Sequence, residues 1–160
     1  MTAPPQQPYL NTRTDAPFRF LGIPTVMRST GETTNGAFAL VEHLTTPPGF
    51  ASPYHTHHLE DEAFYVIEGE LAVVVDGKWL KAGPGTYVFG PREIPHGFKV
   101  VGNVPVRMLI LCAPAGFEHF VLEMSEPDMT LPPAPPDMAK LITLAAKYEI
   151  DIHGPLPEQE

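Results

Sequence analysis

Short runs of apolar residues, separated by turn-forming residues, recur along most of the chain. Runs rich in Val, Ile, Phe and Tyr predict β-strands. Asn35-Gly36 and Asp76-Gly77 are tight-turn signals, because these residues tolerate a positive φ. The predicted strands occupy residues 18–23 and 25–30 (divided at Pro24), 37–44, 62–68, 71–75, 78–81, 86–89, 96–101 and 106–112. About eight to ten short strands with a turn every 8–12 residues predict a β-sandwich or β-barrel.

Both ends of the chain depart from this pattern. Residues 1–16 are rich in proline and lack apolar periodicity, which indicates an irregular arm before a β domain at residues 17–125. Residues 126–160 start as a proline-rich connector, after which Asp137 caps a short C-terminal α-helix packed on the barrel. The apolar residues at helical spacing in that helix are Met138, Leu141, Ile142, Ala145 and Tyr148.

Composition narrows the function classes. Among 160 residues, 19 are acidic and 10 are Lys or Arg, which gives a net charge of −9. Neither a nucleic acid nor an anionic membrane is expected as a partner, because both require clustered positive charge. Cys112 is the only cysteine, which excludes an intrachain disulfide and a cysteine-based zinc site. The start of the chain has no signal-peptide pattern, which favours a cytoplasmic location.

A cluster of histidines and acidic residues in the first half of the chain carries the strongest chemical signal. On a strand, His55 and His57 point to the same side. Glu62 would face the other side of an unbroken strand, but a turn after His57 would bring its carboxylate back. Pro95 keeps the chain extended before His96, which is available as a fourth ligand from a neighbouring strand. Imidazoles combined with one carboxylate are a transition-metal pattern.

The spacing of these residues resembles the first motif of the cupin superfamily. That motif is matched here by Gly49, His55, His57, Glu62 and Gly69. The resemblance implies an all-β fold, a single cupin (jelly-roll) β-barrel, for the strand-rich part of the chain.

The second cupin motif is matched less completely. Gly85, Pro91 and His96 fit it, whereas Glu93 stands at a glycine position and Val100 at an asparagine position. Neither departure touches a ligand position. Within the superfamily, residues 55–70 and 113–118 look most like the single-domain quercetin 2,3-dioxygenase-like group.

The resemblance implies one divalent transition metal ion per chain, drawn from Fe, Ni, Mn, Co, Cu and Zn. Its ligands would be His55, His57, Glu62 and His96. Asp61 is the alternative carboxylate, because the family also allows a spacing that is one residue shorter. We prefer Glu62, which opens the following strand and has a longer side chain. His58 is expected to face outward.

The expected substrate pocket follows from the two-residue period of strands. Alternate residues after the Glu62 and His96 ligands should face the metal as well. Two aromatic residues that lie before or beside the first ligand should line the entrance. The expected pocket residues are Phe50, Tyr54, Phe64, Val66 and Phe98.

The resemblance further implies a function. We expect a metal-dependent dioxygenase that cleaves a flavonol, or another enol or aromatic small molecule, with O₂ and uses Glu62 as the base. A metal-dependent isomerase, cyclase or decarboxylase is an open alternative, as is a non-catalytic cupin that binds a small molecule. We expect a homodimer, because cupins commonly dimerise and the arm at residues 1–16 could cross to a partner.

Overall fold

Eleven short strands and three helices form the regular structure of the described residues, which are 7–12 and 16–159 of a computed structural model. The strands are β1 (Phe18–Phe20), β2 (Ile23–Ser29), β3 (Ala39–Thr46), β4 (Tyr54–His57), β5 (Asp61–Glu68), β6 (Leu71–Val75), β7 (Lys78–Ala82), β8 (Tyr87–Gly90), β9 (His96–Val100), β10 (Val106–Ala113) and β11 (Ile150–Gly154). The helices are α1 (Gly31–Thr34), α2 (Phe117–Met124) and α3 (Met138–Lys147). None of the helices in this part of the chain is long and apolar enough to cross a membrane.

Two antiparallel sheets enclose the apolar core. One sheet has the strand order β1-β2-β3-β10-β5-β8, and the other has the order β11-β4-β9-β6-β7. Alternation along β10 illustrates how the core forms, because Val106, Met108, Ile110 and Cys112 are buried while the residues between them are partly exposed. The inward-facing residues of both sheets join in one hydrophobic cluster. The predicted all-β jelly-roll fold is confirmed.

The turn between the first two strands differs from its prediction. It lies at Leu21 and Gly22, whose φ angles of 50° and 79° suit a two-residue hairpin turn. Pro24, where the sequence predicts a break, instead lies inside β2 opposite Arg19 of β1. A proline is tolerated near the start of a strand, where it removes little of the hydrogen-bond ladder. The predicted break at Pro24 is therefore wrong.

The C-terminal helix begins at the predicted cap, since Asp137 Oδ1 accepts a hydrogen bond from a backbone N–H of the first turn at 3.0 Å. Leu141 and Ala145 face the core. Met138 and Ile142, in contrast, are 51% and 55% exposed. The buried stripe of α3 is therefore narrower than the helical spacing of its apolar residues predicts.

The last strand, β11, is not predicted by the sequence. It pairs with β4 and extends the second sheet at its edge, so the end of the chain returns to the strand that carries His55 and His57. Residues 1–6 and 13–15 of the predicted arm lie outside the described residues. In the described part of the arm, Asn11 Nδ2 donates to the carbonyls of Met27 and Arg28 at 3.1 and 2.8 Å. The division of the chain at residues 16 and 125 stays a prediction.

Candidate metal centre

Three strands bring the four predicted ligand side chains together. His55 and His57 lie on one side of β4, and His96 of β9 is the cross-strand partner of His55. The chain turns after His57, and a new strand, β5, begins at Asp61. The turn resets the alternation of side chains, so that Glu62 faces the histidines. One ligand atom of each of these four side chains lies within 4.8 Å of the others. The predicted turn between β4 and β5 accounts for this convergence.

The distances within the cluster centre on one carboxylate oxygen. Glu62 Oε2 lies 2.6 Å from His96 Nε2, 3.6 Å from His57 Nε2 and 3.7 Å from His55 Nε2. His57 Nε2 is a buried nitrogen without a hydrogen-bond partner. A buried lone pair without a partner is costly in an apolar interior. A cation bound among these atoms would satisfy it, so the residues present fit a metal ion.

Backbone carbonyls fix the orientation of two of the imidazoles. His55 Nδ1 lies 2.8 Å from the Pro53 carbonyl, and His96 Nδ1 lies 2.9 Å from the Ile94 carbonyl. A carbonyl oxygen only accepts hydrogen bonds, so each Nδ1 carries the proton. In the neutral imidazole the lone pair is then on Nε2, which is the nitrogen that faces the cluster.

Glu60 orients the third imidazole, and sequence reasoning missed it. Its Oε1 accepts a hydrogen bond from His57 Nδ1 at 2.8 Å, and the Glu60 side chain is buried. A carboxylate behind a ligand histidine fixes the tautomer and increases the basicity of the other nitrogen. The only local signal is an acidic residue three positions after His57, inside the turn between β4 and β5.

The charges of the cluster suit a cation. Burial by itself would raise the pKa of Glu62, but interactions with His55 and His96 outweigh it and hold the pKa well below the ordinary value for glutamate. Burial opposes the charged form of His96 as well, yet the hydrogen bond with Glu62 raises its pKa. Burial lowers the pKa of His55. Because His96 donates its Nδ1–H to the Ile94 carbonyl, a hydrogen bond from His96 Nε2 to Glu62 requires a second proton on the ring, which a metal ion would displace.

Asp61, the alternative carboxylate, lies outside the cluster. Its Oδ2 is 3.0 Å from Arg92 NH2, and its Oδ1 accepts the Arg92 backbone N–H at 2.9 Å. This contact with the guanidinium lowers the pKa of Asp61. The structure therefore brings Glu62, and not Asp61, together with the histidines.

His58 faces outward, where it links two other segments. Its Nδ1 is 2.8 Å from Glu93 and its Nε2 is 2.8 Å from Asp151 of β11. These two carboxylates raise the pKa of His58. Glu93 has a φ of 65°, a conformation that favours glycine, which is the residue that the cupin motif has at this position.

A cavity of about 60 Å³ adjoins the cluster. Its lining is mainly apolar and includes Phe50 and Phe98, two of the five expected pocket residues. It also contains residues that sequence reasoning missed, notably His43 of β3 and Phe117 of α2. The ring of Phe117 lies 5.0 Å from that of His57. No sequence motif marks these two residues, because they reach the cavity through strand pairing and helix packing.

The other three expected pocket residues lie elsewhere among the described residues. Phe64 and Val66 are buried in the core, and the ring of Phe64 packs 6.2 Å from that of His96, against the side of the cluster rather than in the cavity. Tyr54 packs against His153 of β11, and its hydroxyl accepts the Gly77 N–H at 3.2 Å. Alternation along β5 thus predicts burial correctly, but burial next to the metal cluster is not the same as lining the cavity.

A second apolar space lies outside the first. This outer groove has a volume of about 410 Å³ and is bordered by the start of α3 and by the segment after β11, including Met138 and Leu156. Six residues line both spaces, and we refer to them as the shared ring. The ring consists of Leu21, Phe50, Ser52, Pro53, Leu141 and Ile152.

Comparison with known proteins agrees with this geometry. Residues 42–112 match the family described as Cupin domain. Quercetin 2,3-dioxygenase from Bacillus subtilis (strain 168) is 27% identical over 94 residues, which cover 59% of this chain and 27% of that protein. Tetracenomycin polyketide synthase protein TcmJ from Streptomyces glaucescens is 32% identical over 72 residues, which cover 45% of this chain and 48% of that protein. The chain thus spans about half or less of the length of these two curated relatives.

A solved structure extends the comparison. The polyketide cyclase RemF from Streptomyces resistomycificus aligns with a TM-score of 0.56 and 27% identity, covering 69% of this chain and 81% of RemF. The chain thus has the cupin jelly-roll fold, and the stretch that matches the Cupin domain family, residues 42–112, contains the cluster of three histidines and one glutamate.

Proposed function

We propose that this protein of cupin fold is a metal-dependent dioxygenase that cleaves a flavonol, or another enol or aromatic small molecule, with O₂. The observation that carries the proposal is the convergence of three imidazole Nε2 atoms and the Glu62 carboxylate beside an apolar cavity. We propose His55, His57, Glu62 and His96 as the ligands of one divalent transition metal ion. That ion would act as a Lewis acid, which lowers the pKa of a bound enol or phenol hydroxyl.

Glu62 is the proposed catalytic base. Its carboxylate is ionised at neutral pH, is nearly inaccessible to bulk water and lies in the lining of the cavity. An oxygen at this place can accept the proton of a substrate hydroxyl that enters the cavity. The apolar lining would exclude water from the same hydroxyl, which strengthens its interaction with the carboxylate.

The two spaces suggest how a substrate of this class would bind. The cavity of about 60 Å³ has room for a reactive hydroxyl-bearing end only, whereas the outer groove of about 410 Å³ has the size of a typical small-molecule site. We propose that the remainder of the substrate lies in the groove. Leu21, Phe50 and Leu141 of the shared ring would then move apart when a substrate binds.

A metal-dependent cyclase is the second candidate function. RemF is a polyketide cyclase and TcmJ a polyketide synthase protein, and their identities to this chain, 27% and 32%, are no lower than the 27% of the quercetin dioxygenase. The same metal ligands and base would serve proton transfer in a phenolic polyketide without consumption of O₂.

Oxygen consumption separates the two candidates. The metal-free protein is reconstituted separately with Fe, Ni, Mn, Co, Cu or Zn and mixed with flavonols and phenolic polyketides, while dissolved O₂ and products are measured. A dioxygenase consumes O₂ in proportion to substrate and gives no turnover without O₂. Turnover at an unchanged rate under anaerobic conditions would support the cyclase. Metal binding without turnover of any of these compounds would support a non-catalytic binding protein.

We further propose that the chain forms a homodimer. Tyr65, Tyr87 and Phe89 are exposed on β5 and on the edge strand β8. Such a patch is self-complementary in a symmetric dimer. Light scattering is expected to give twice the chain mass, and a stable monomer at micromolar concentration would contradict the proposal. A cytoplasmic location stays a prediction, which cell fractionation can check.

A further inference from the structure

A fourth histidine shares the cavity with the cluster, although it belongs to no motif. His43 lies on β3, in the same sheet as Glu62, and is one of the residues that line the cavity. Its side chain is 2% exposed, and its ring packs 6.1 Å from that of Phe20. The four atoms that converge at the cluster do not include an atom of His43. Its imidazole is therefore free for another role in the cavity.

Thr25 fixes the tautomer of His43. The two residues are cross-strand partners on β2 and β3. The Thr25 hydroxyl donates its proton to the Ile23 carbonyl at 2.8 Å, and the same oxygen lies 3.2 Å from His43 Nδ1. With its own proton committed, the hydroxyl oxygen accepts the Nδ1–H of His43. The lone pair of the neutral imidazole is consequently on Nε2.

The Nε2 atom opens onto the cavity. Among the described residues, the buried side-chain nitrogen and oxygen atoms without a partner are Thr46 Oγ1 and His57 Nε2. His43 Nε2 is not one of them, although the hydrogen bond of His43 in this part of the chain involves Nδ1 alone. Nε2 is therefore not fully enclosed by protein atoms, and the space next to the ring is the cavity that His43 lines. Burial lowers the pKa of His43 to about 4, while the Glu62 charge opposes this only in part. At pH 7 the ring is neutral and presents an acceptor to the cavity.

We propose that His43 is a substrate-binding residue whose Nε2 accepts a hydrogen bond from a second hydroxyl group of the substrate, next to the hydroxyl that Glu62 deprotonates. This role rests on the proposed function and defines its substrate class more narrowly. The substrate carries two neighbouring oxygens at its reactive end, and at least one of them keeps its proton. A substrate without the second hydroxyl leaves the acceptor unpaired in a dry cavity, which costs affinity.

Two binding probes and two variants test this role without turnover. Catechol carries two neighbouring hydroxyls and phenol carries one. The dissociation constants of both are measured by calorimetry on the zinc-loaded full chain, for the wild type, H43L and H43Q. H43L should weaken the preference for catechol over phenol by about tenfold, equivalent to about 1.4 kcal/mol. Comparing the catechol-over-phenol preference of H43L with that of the wild type cancels any contribution from direct chelation of zinc by catechol, which is the same in both proteins. H43Q keeps an acceptor oxygen and should restore part of the preference.

Controls separate binding from folding and from metal loss. All variants should hold as much zinc as the wild type. Loss of zinc from H43L would indicate that His43 is a metal ligand and would overturn the proposal. H119L alters a histidine that is exposed and should leave the preference unchanged. Nitrogen-15 NMR of the wild type, labelled at histidine, should place the His43 proton on Nδ1 and shift Nε2 when catechol is added.

Each outcome decides between the proposals. A protonated Nε2 in the free protein, or an unchanged catechol preference in H43L and H43Q, would overturn the role of His43 and leave the proposed function standing. Failure of both probes to bind the zinc-loaded wild type would overturn the proposed phenol site, and the role of His43 with it.

Discussion

Three hydrogen bonds decide which nitrogen of each imidazole faces the metal cluster. The acceptors are the Pro53 carbonyl, the Ile94 carbonyl and the Glu60 carboxylate. Each holds an Nδ1 and leaves an Nε2 directed at Glu62. The ligand atoms are therefore oriented before a metal ion binds, which reduces the conformational entropy lost on binding.

Removal of one imidazole should empty the site. The purified protein is expected to carry about one divalent transition ion per chain, and H55A or H57A should reduce this to a small fraction, because only three of the four ligands are left. Elemental analysis of the purified proteins measures the content. H119A changes an exposed histidine and serves as the matched control. Full metal retention in both H55A and H57A would contradict the ligand assignment.

Acid should release the metal. Ligand binding needs neutral imidazoles and an ionised carboxylate, and protons compete for the same nitrogens. The raised pKa of His96 strengthens this competition, whereas the lowered pKa values of His55 and Glu62 weaken it. Occupancy should fall as the pH drops below the ordinary histidine value of about 6.5. Constant occupancy from pH 7 down to about 3 would be incompatible with histidine ligands.

A pair of carboxylate variants distinguishes Glu62 from Asp61. E62Q keeps the size and one oxygen donor but accepts no proton, so it should retain some metal and lose turnover by about 10²–10⁴-fold. D61N removes a charge that pairs with Arg92 outside the cluster and should leave both properties nearly intact. Metal content and initial rates are measured on both. Loss of metal in D61N together with an active E62Q would mean that the proposed phase of β5 is shifted by one residue.

At the scale of elements, the sequence predicts well where structure depends on neighbouring residues. Asp76 and Gly77 have φ angles of 49° and 73° and join β6 to β7, as their turn chemistry predicts. The phase change between His57 and Glu62 is equally local, since β4 ends at His57 and β5 begins one residue before Glu62. The convergence of His55, His57 and Glu62 could therefore be predicted from local spacing. His96 joins them through the pairing of β9 with β4, and the resemblance to the cupin motifs identified it.

Elements that depend on distant partners could not be predicted in this way. β11 has only five residues and is a strand because it pairs with β4, far earlier in the chain. The expected pocket residues Phe64 and Val66 lie in the core, because alternation specifies the face of a strand and not its depth along the barrel. His43 and Phe117 reach the cavity only through the assembled sheets and helix.

The packing of α3 can be tested with two apolar residues that sequence spacing treats alike. Leu141 is 3% exposed and lines both the cavity and the groove, whereas Ile142 is 55% exposed. L141A should lower the free energy of unfolding by about 2–4 kcal/mol. I142A should change it by less than about 0.5 kcal/mol. Urea denaturation measures both, and equal losses would contradict the orientation of the helix.

At the scale of the whole molecule, one buried carboxylate joins three strands of the first sheet on the side away from the cavity. Glu42 of β3 is 4% exposed, and its Oε2 lies 2.7 Å from Arg28 Nε of β2. Its Oε1 lies 2.6 Å from Arg107 NH2 of β10. Arg28 also donates to the Thr12 carbonyl at 2.8 Å, which ties the described part of the arm to the barrel.

The stabilisation that these Glu42 contacts contribute depends on pH, because it requires the charged carboxylate. Burial by itself would raise its pKa, but hydrogen bonds from Arg28 and Arg107 outweigh burial and hold the pKa below the ordinary value of 4.5. A carboxyl group whose pKa is lower in the folded than in the unfolded state stabilises the fold above its ordinary pKa. That stabilisation is lost as the pH falls from about 4.5 through the lowered value.

Stability measurements at two pH values should therefore separate Glu42 from an exposed acid beside it. E42Q should lower the free energy of unfolding by about 1.5–3 kcal/mol at pH 7, because two hydrogen bonds to a charged group are weakened. The difference from the wild type should shrink at pH 3.5, which is below the ordinary pKa of 4.5, because protonation of the Glu42 carboxyl in the unfolded state then stabilises the unfolded wild type. E68Q, at a residue that is 69% exposed and 4.0 Å from Arg107, should have an effect below about 0.5 kcal/mol. Urea denaturation with a chelator present keeps metal release out of the comparison, and an E42Q effect of equal size at both pH values would contradict the lowered pKa.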